Sequence, residues 1–260
     1  MSAIQVAVCG ALGKMGREVV KTVLADADLT LSGAVDSNAA HVQNPDAQPL
    51  FESLDTLLAS VKPRVCVDFT HPASVFQNTM TLIEAGVHPV IGTTGLTSDQ
   101  LQQIEAALLA QNLAGMVIPN FAIGAVLMMK FAKEAARYLD HAEIIEMHHN
   151  QKADAPSGTA IKTAELMRDS QARFGNTNAA EHETIAGARG ATATADIHIH
   201  SIRLPGYVAS QEVLLGSPGQ ILSIRHDTID RTCFMPGVAL CCKKVVTLPP
   251  GLVYGLEHIL

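Results

Sequence analysis

The stretch IQVAVCGALGKMGRE, residues 4–18, decides the fold. An apolar run ends at Gly10, and Gly10, Gly13 and Gly16 follow in a G-x-x-G-x-x-G spacing before an amphipathic segment. This order predicts a buried strand, a glycine loop and a helix. Glycine lets the chain turn sharply and lets a pyrophosphate approach the N–H groups at a helix start. The stretch therefore predicts a dinucleotide-binding loop; the alternative is a turn with a purely structural purpose.

The same alternation continues through the first 120 residues. Apolar runs such as RVCVDFT (64–70) and AGMVIPNF (114–121) end in turn residues, and amphipathic segments separate them. Strands that are apolar on both faces belong to parallel sheets covered by helices on both sides, joined by right-handed crossovers. The pattern predicts an α/β fold with a Rossmann-like, doubly wound nucleotide domain, whose ligands lie at the carboxyl ends of the strands.

Polar residues stand at the ends of these strands. Asp36 closes the second strand, twenty residues after the last loop glycine, where a carboxylate can accept hydrogen bonds from an adenine-ribose diol. GTTG (92–95) and VDFTHP (67–72) close two further strands. Each also has an ordinary interpretation as a turn before a helix, with Thr97 or Ser98 as a helix cap and Asp68 as a turn residue. Their common location at strand ends favours a ligand crevice.

The pattern changes after about residue 120, where an inserted α+β domain with a mixed β-sheet is predicted. The segment 122–139 has helical spacing, with Met128 and Met129 as expected core residues. Further elements are predicted, in chain order, as a strand at 142–149, a helix at 156–174, a loop at 175–195, a three-strand meander at 195–204, 207–216 and 220–228, and a last helix at roughly 235–246. We expect a dinucleotide-binding domain of residues 1–119 and 230–260, and a substrate-binding domain of residues 120–229.

The composition of the chain indicates which kinds of partner it binds. The chain has 260 residues and a formal net charge of −7, which argues against a basic face for nucleic acid or for an anionic membrane. The first ten residues lack a basic, apolar leader, and no run approaches the roughly 20 apolar residues of a membrane span. We expect a cytoplasmic protein that binds small molecules, with no nucleic-acid or membrane partner.

Cysteine and histidine usage favours neither disulfides nor a metal. The five cysteines include no C-x-x-C pair and have apolar neighbours, which is typical of buried, reduced thiols. His198 and His200 alternate on one face of a predicted strand, but no third ligand follows at a metal-site spacing. We expect no metal site.

The stretch EMHHNQKADAPSGTA, residues 146–160, carries the densest chemistry. It leaves a strand and enters a helix at residues 157–159, whose N–H groups can hold a carboxylate. Lys152 adds positive charge, and His148 or His149 can transfer a proton near neutral pH. The alternative is a capped helix preceded by a solvated loop. In either case Asp154 is interpreted as a loop-forming or lysine-orienting residue, not as a general base.

Several motifs together resemble the 4-hydroxy-tetrahydrodipicolinate reductase family, also called dihydrodipicolinate reductases, of bacterial lysine and diaminopimelate biosynthesis. They are VAVCGALGKMGRE, VDFTHP, GTTG, PNFAIG and EIIEMHHNQKADAPSGTA. The resemblance spans essentially the whole chain. The histidine-lysine motif is highly specific, whereas many dehydrogenases share the glycine loop. The segments SIRLPGYVASQEV and FMPGVAL resemble one branch of the family.

The resemblance implies a role for each matching residue. His148 is the proton donor, assisted by Lys152, in the reduction of (hydroxy-)dihydrodipicolinate to tetrahydrodipicolinate by NADH or NADPH. The cyclic dicarboxylate is bound by His149, Lys152, Gly158 and Thr159. The nucleotide is bound by Gly10, Ala11, Leu12, Gly13, Lys14, Met15, Asp36, Gly92, Thr93, Thr94, Ile118, Pro119, Asn120 and Phe121. The resemblance also implies a homotetramer formed through the sheets of the second domain, residues 120–229.

Departures from the family pattern bear on the choice of cofactor. Many relatives carry arginine where this chain has Lys14 and His71, and some carry basic residues where it has Ser37 and Asn38. A 2′-phosphate prefers a nearby Arg or Lys, whereas a free diol prefers a carboxylate such as Asp36. We expect NADH to be favoured, with some use of NADPH.

Two other functions share part of this pattern. Another nicotinamide oxidoreductase, such as an aspartate or semialdehyde dehydrogenase, would have the glycine loop but no need for the histidine-lysine motif. A semialdehyde enzyme also needs a nucleophilic cysteine in its catalytic domain, and the sequence has none between Cys66 and Cys233. A non-catalytic NAD-binding sensor would bind the nucleotide without turnover.

Overall fold

The computed structural model describes residues 3–41, 49–170, 174–175 and 182–260. The chain divides into two compact units, called here the first unit (residues 1–123 and 231–260) and the second unit (residues 124–230). The sequence placed the divisions after residues 119 and 229. The roles given to the two domains stay predictions.

The described residues form twelve strands and seven α-helices. In chain order they are β1 (Ile4–Cys9), α1 (Lys14–Ala25), β2 (Leu29–Val35), β3 (Leu50–Phe51), α2 (Leu54–Ser60), β4 (Val65–Asp68), α3 (Val75–Glu84), β5 (His88–Ile91), α4 (Ser98–Ala110), β6 (Ala114–Val117), α5 (Ile123–Ala135), β7 (His141–His148), α6 (Gly158–Arg168), β8 (Ala191–Thr192), β9 (His198–Arg203), β10 (Ala209–Ser217), β11 (Gln220–Thr228), α7 (Met235–Val245) and β12 (Gly251–Tyr254).

The first unit contains a seven-stranded parallel sheet in the order β12-β6-β5-β4-β1-β2-β3. Residues Val6, Ala7 and Val8 of the central β1 have no exposed surface, as expected for a strand with both faces covered. The order reverses direction at β1 and β4, which is the switch point where doubly wound sheets bind ligands. The Rossmann-like prediction is confirmed.

Local capping explains where two helices of the first unit begin. The Ser53 hydroxyl accepts a hydrogen bond from the N–H of Thr56 at 3.2 Å and starts α2. The Thr97 hydroxyl accepts from the N–H of Gln100 at 3.2 Å and starts α4, as one of the two predicted caps. Such caps satisfy N–H groups that have no partner within the helix.

Residues 231–260 return to the first unit. The ammonium group of Lys243 on α7 contacts the carboxylates of Asp26 and Asp28 at 2.9 and 2.8 Å, at the turn between α1 and β2. Strand β12 then pairs with β6 and forms one edge of the sheet. The sequence predicted the returning helix but not β12 or the two-residue β3, which form the two edges of the sheet.

The second unit contains a five-stranded mixed sheet in the order β11-β10-β7-β9-β8. Strand β7 pairs antiparallel with β10 and parallel with β9. The predicted mixed sheet is confirmed, but the predicted three-strand meander is wrong. Only β10 and β11 form a hairpin, because β7 lies between β9 and β10. The strand that carries the histidines is therefore central and has a neighbour on each side.

Helices α5 and α6 supply apolar residues to the core of the second unit. Ala132, Ala160 and Ala164 pack with Ile144 and Val213 of the sheet, and all five are fully buried. Small alanine side chains let these helices approach the sheet closely. Met128 and Met129 are buried at 2% and 7% exposure, as predicted.

Two boundaries of the second unit differ from the sequence prediction. Helix α6 ends at Arg168, although its apolar spacing suggested continuation to residue 174. The predicted loop 175–195 contains the short β8, and its residues 176–181 lie outside the described residues, as do residues 171–173 of the predicted helix.

Candidate active site

The glycine loop, residues 10–16, leads from β1 into α1. Gly10 has a φ of +76°, and a Cβ there would overlap the carbonyl oxygen of Phe69. A Cβ at Gly16 would overlap the carbonyl oxygen of Gly10. The N-cap of α1 is Gly13, so the helix starts at a residue without a side chain. The loop thus brings backbone against backbone and presents N–H groups where an anion can approach.

Asp36 lies against this loop at the carboxyl end of β2. Its Oδ2 accepts a hydrogen bond from the N–H of Leu12 at 3.0 Å, and its Oδ1 accepts from the N–H of Asn38 at 3.0 Å. The structure thus brings two predicted nucleotide-binding residues, Leu12 and Asp36, into contact. The same hydrogen bond occupies the Leu12 amide, and the N–H groups of Gly10, Ala11 and Gly13 donate to the carbonyls of Val35 and Gly10. The N–H groups of Lys14 and Met15 at the start of α1 are therefore the candidates for pyrophosphate.

A cleft of about 740 Å³ opens beside the loop. Its lining includes Gly10, Gly13 and Asp36, together with Ser37, Asn38 and His71, the positions that bear on cofactor choice. Sequence reasoning missed two acidic lining residues, Glu52 and Asp55. They follow the short β3, whose pairing beside β2 was not predicted.

Asp68 organises the next two strand ends. Its fully buried carboxylate accepts hydrogen bonds from the Thr70 hydroxyl and the Thr93 hydroxyl, each at 2.7 Å, and from the Asn78 amide at 3.0 Å. Asp68 is therefore a turn-forming residue, as its ordinary interpretation predicted. Because the hydroxyl of Thr93 is engaged with Asp68, Thr93 can serve a nucleotide chiefly by shaping the loop.

Among the remaining predicted nucleotide residues, Phe121 and Gly92 lie against the ring of Phe69. The rings of Phe69 and Phe121 lie 5.5 Å apart, and a Cβ at Gly92 would overlap the Phe69 ring. The N–H of Ile118 donates to the carbonyl of Ile91 at 2.9 Å, which joins the ends of β5 and β6. The other members differ in exposure: Ala11 is buried, Met15 and Asn120 are half-buried, and Lys14, Thr94 and Pro119 are exposed.

The histidine loop, residues 148–157, joins β7 to α6 in the second unit. Lys152 Nζ contacts both carboxylate oxygens of Asp154 at 2.7 Å, which fits the lysine-orienting interpretation. His149 Nδ1 accepts from the N–H of Gln151 at 3.2 Å. The hydroxyl of Ser157 caps α6 by accepting from the N–H of Ala160 at 3.2 Å. The loop is thus ordered by its own side chains.

A fully buried carboxylate, Glu146, lies beneath this loop. Its Oε2 contacts His148 Nδ1 at 2.5 Å, and its two oxygens accept from the guanidinium of Arg203 at 2.8 and 2.9 Å. Its Oε1 also accepts from the N–H of Ser157 at 3.2 Å. The Ser157 amide, predicted as part of the anion site, is therefore engaged with Glu146. The N–H groups of Gly158 and Thr159, next in the helix start, are the remaining candidates.

These contacts shift the pKa values of Glu146, His148 and Asp154. Burial raises the pKa of Glu146, but hydrogen bonds from Arg203, Ser201 and His148 outweigh burial and hold that pKa below its usual range. Burial lowers the pKa of His148; Glu146 raises it, Lys152 and Arg203 lower it, and the net pKa lies below the ordinary histidine value. A hydrogen bond from Lys152 lowers the pKa of Asp154. The histidine loop and the residues beneath it therefore combine two ionised carboxylates, Glu146 and Asp154, with two cations and a histidine that readily loses its proton.

Sequence reasoning missed Glu146 and Arg203. Glu146 precedes His148 by two residues, so both side chains lie on one face of β7, a signal that alternation provides. Arg203 stands beside His148 in the parallel pairing of β7 with β9. Since that pairing joins distant segments, the motif alone did not reveal it.

Both halves of the chain match known family models. A model described as "Dihydrodipicolinate reductase, N-terminus" matches residues 4–121, and one described as "Dihydrodipicolinate reductase, C-terminus" matches residues 124–260. The chain belongs to the dihydrodipicolinate reductase family. The family predicted from the motifs is thereby confirmed. The C-terminal family model covers both the second unit and the segment that returns to the first.

Individual dihydrodipicolinate reductases match over nearly their full length. The 4-hydroxy-tetrahydrodipicolinate reductase of Mastigocladus laminosus is 48% identical, over 99% of this chain and 98% of its own. That of Synechocystis sp. is 50% identical, with the same coverage. A solved structure, dipicolinate-bound dihydrodipicolinate reductase from Paenisporosarcina sp. TG-14, is 44% identical with a TM-score of 0.91 and covers 99% of this chain and 100% of that one. The fold class is confirmed over both units.

Two further observations concern membranes and metals. Among the described residues, no helix has the length and apolar character to cross a membrane. Within the same part of the chain, no group of three or more His, Cys, Asp or Glu side chains is arranged to hold a metal ion.

Proposed function

We propose that the chain reduces (hydroxy-)dihydrodipicolinate to tetrahydrodipicolinate with NAD(P)H, a step of lysine and diaminopimelate biosynthesis. Membership of the dihydrodipicolinate reductase family makes it an oxidoreductase. The observation that carries the proposal is the histidine loop: His148 and the N–H of Ser157 at the start of α6 share the carboxylate of Glu146, and the charge of Lys152 acts on His148. Neither another nicotinamide oxidoreductase nor a sensor accounts for this group of residues.

The substrate site combines positive charge with helix N–H groups. A cyclic dicarboxylate carries two negative charges, and the start of α6 offers the N–H groups of Gly158 and Thr159 to one of them. Lys152 and His149 are proposed for the same substrate. The relative from Paenisporosarcina sp. TG-14 binds dipicolinate, a planar cyclic dicarboxylate, which supports this substrate class.

The nucleotide site fits a dinucleotide by its shape. The glycine loop excludes side chains at Gly10 and Gly16, and the neighbouring cleft carries Asp36 at the end of β2. We assign the pyrophosphate to residues 10–15, the adenosine ribose to Asp36, the middle of the cofactor to residues 92–94 and the nicotinamide side to residues 118–121. When bound, the reduced nicotinamide supplies the hydride.

His148 completes the reduction as a general acid. Addition of hydride to the conjugated ring leaves an electron-rich intermediate, which takes a proton from Nε2 of His148. Lys152 stabilises the negative charge and assists proton delivery. A protonated His148 is required, so activity falls as pH rises through its pKa.

NADH is the favoured cofactor in this proposal. Besides Asp36, the cleft lining contains the carboxyl side chains of Glu52 and Asp55, which oppose the charge of a 2′-phosphate. Lys14 and His71 are basic residues that favour a 2′-phosphate, so some use of NADPH is expected. The preference is wrong if kcat/KM strongly favours NADPH.

The decisive test is the oxidation of NADH, and separately NADPH, by the purified protein. The substrate is the freshly made condensation product of pyruvate and aspartate semialdehyde. We expect rapid oxidation that requires this product and fails with either precursor alone. Nucleotide binding without oxidation would keep the nucleotide site and reject the reductase activity.

We also propose a cytoplasmic homotetramer formed through the sheets of the second unit. Exposed apolar side chains on and beside this sheet support the proposal: Ile221 is 80% exposed, Leu222 40% and Leu204 52%. Ile221 and Leu222 lie on β11, an edge strand whose unpaired side another chain can cover. Light scattering coupled to size-exclusion chromatography should give four times the chain mass, and a monomeric mass would exclude the tetramer.

A further inference from the structure

We propose that Glu146 is a positioning residue for proton delivery: its carboxylate orients the ring of His148 so that Nε2 faces the substrate, while Arg203 holds the carboxylate in place. This inference rests on the proposed function, in which His148 is the acid. It adds two residues to which the sequence assigned no role: Glu146, which lies inside the motif, and Arg203, which lies outside it.

The geometry leaves Glu146 little freedom. Its side chain has no exposed surface, and the side chain of His148 is 15% exposed. Arg203 binds both carboxylate oxygens, which fixes the plane of the carboxylate as bidentate pairs do. Arg203 also donates to the carbonyl oxygen of Asp154 at 2.7 Å, so the same guanidinium holds the histidine loop.

One carboxylate therefore connects both halves of the substrate site. Oε2 takes the imidazole of His148, and Oε1 takes the N–H of Ser157, the residue that caps α6. Neither contact is part of the ion pair between Glu146 and Arg203. The two additional contacts relate the proton donor to the helix start that is assigned to the substrate carboxylate.

The contact also selects the tautomer. With Glu146 ionised, Nδ1 of His148 keeps its hydrogen and donates it to Oε2. Nε2 is then the nitrogen that delivers the proton. Its N–H bond breaks as a C–H bond forms on the reduced ring, and the imidazolium becomes a neutral imidazole that still carries hydrogen at Nδ1. Solvent restores the proton at Nε2.

The charges around His148 make Glu146 important for its protonation. From β7, Glu146 favours the protonated ring, whereas Lys152 on the loop and Arg203 on β9 disfavour it, as does burial. The carboxylate of Asp154 contacts Lys152, its backbone carbonyl accepts from Arg203, and its charge partly offsets both cations. Without the negative charge of Glu146, only burial and the two cations act on His148, and both lower its pKa. His148 would then lose its proton at lower pH.

A matched control exists on the opposite face of β7. Glu143 contacts Arg189 at 2.5 Å and His200 at 2.6 Å, the same combination of carboxylate, guanidinium and imidazole. Glu143 and Glu146 lie on opposite faces of the strand because they are an odd number of residues apart. Glu143→Gln removes an equivalent charge from the same strand without touching the histidine loop.

The kinetic test compares Glu146→Gln, Glu146→Asp and Glu143→Gln. For Glu146→Gln we expect kcat to fall about 10–100-fold at neutral pH, part of the roughly 10²–10⁴ that a general acid contributes. The falling limb of the pH profile should move to lower pH, and the nucleotide Kd should stay within about twofold. In Glu146→Asp, the pH at which activity falls should return toward the wild-type value. In Glu143→Gln, both kcat and the pH at which activity falls should match the wild type. A wild-type profile in Glu146→Gln, or an equal shift in Glu143→Gln, overturns the inference.

A spectroscopic test does not depend on the folding of the Glu146 variants. In nitrogen-15 NMR spectra of the unmodified protein, with the His148 signals identified by their absence in His148→Gln, the neutral ring should carry its hydrogen on Nδ1. Hydrogen on Nε2 instead would overturn the inference. The tautomer is measured without substrate, so failure of the reductase activity and failure of the Glu146 role are distinguishable.

Discussion

The glycine loop of the first unit and the histidine loop of the second both lead from a buried strand into a helix amino terminus, yet they are built differently. The glycine loop depends on the absence of side chains, since added Cβ atoms at Gly10 and Gly16 would overlap backbone oxygens. The histidine loop depends on side chains held by a buried carboxylate. Substitutions in the first loop should therefore act through shape and stability, and substitutions in the second through charge and rate.

The largest expected effect is that of His148→Gln, which tests whether the histidine loop acts on the rate of the reaction. Loss of the proton donor should lower kcat by about 10²–10⁴, while the nucleotide Kd changes little. Steady-state kinetics and fluorescence titration with NADH measure the two quantities. His200→Gln, which removes a histidine with a similar carboxylate contact, is the control and should keep its kcat. A His148→Gln enzyme that retains kcat would remove His148 from the reaction.

Lys152→Met should have the second-largest effect on the reaction. It removes the charge of Lys152 at nearly constant length, and charged hydrogen bonds of this kind contribute about 1.5–3 kcal/mol. We expect the loss in kcat/KM for the dicarboxylate substrate, with KM for the nucleotide unchanged. Lys162→Met on α6, where the lysine is 54% exposed, provides the comparison. Equal losses in the two variants would mean that Lys152 contributes only general charge.

Gly16→Ala tests the steric side of the contrast. The added methyl group meets the carbonyl oxygen of Gly10, and such overpacking costs about 1–3 kcal/mol in the free energy of unfolding. Urea denaturation should show this loss together with weaker nucleotide binding. At Gly216, an added Cβ has its nearest neighbour at 3.8 Å, so Gly216→Ala should unfold as the wild type does. Wild-type stability and nucleotide affinity in Gly16→Ala would show that the loop can relax.

The smallest expected effect is that of Asp36→Asn, which tests whether a charge beside the glycine loop affects the preference for NADH over NADPH. Without the carboxylate, the ratio of kcat/KM for NADH to that for NADPH should fall by about tenfold or less, roughly 1 kcal/mol. Asp99→Asn in the first turn of α4 serves as the charge control. An unchanged ratio would place cofactor choice elsewhere in the cleft.

The contrast also explains what the sequence could reveal. The glycine loop was predictable because strand, glycines and helix are contiguous in the sequence. Two of its glycines also answer local constraints: Gly10 has a positive φ, and a Cβ at Gly16 would overlap the carbonyl oxygen of Gly10. The histidine-lysine motif likewise marked its own residues. Arg203 could not be found this way, because it lies 57 residues from Glu146 and reaches it only through the parallel pairing of β7 with β9.

The errors in the fold prediction have the same origin. The predicted meander assumed that consecutive strands are neighbours, and the insertion of β7 between β9 and β10 broke that rule. The short β12 was missed because its position at the edge of the first sheet depends on β6, far away in sequence. Local patterns identified the elements, and long-range pairing decided their arrangement.

The return of residues 231–260 to the first unit has a consequence for the order of folding during synthesis. The second unit is one continuous segment, so it can fold as soon as residues 124–230 have left the ribosome. At that moment β6 is still an open edge strand, because its partner β12 has not been made. The inserted unit should thus be finished first, and a nascent chain arrested before residue 251 should combine a folded second unit with a first unit that still exposes a sheet edge to chaperones.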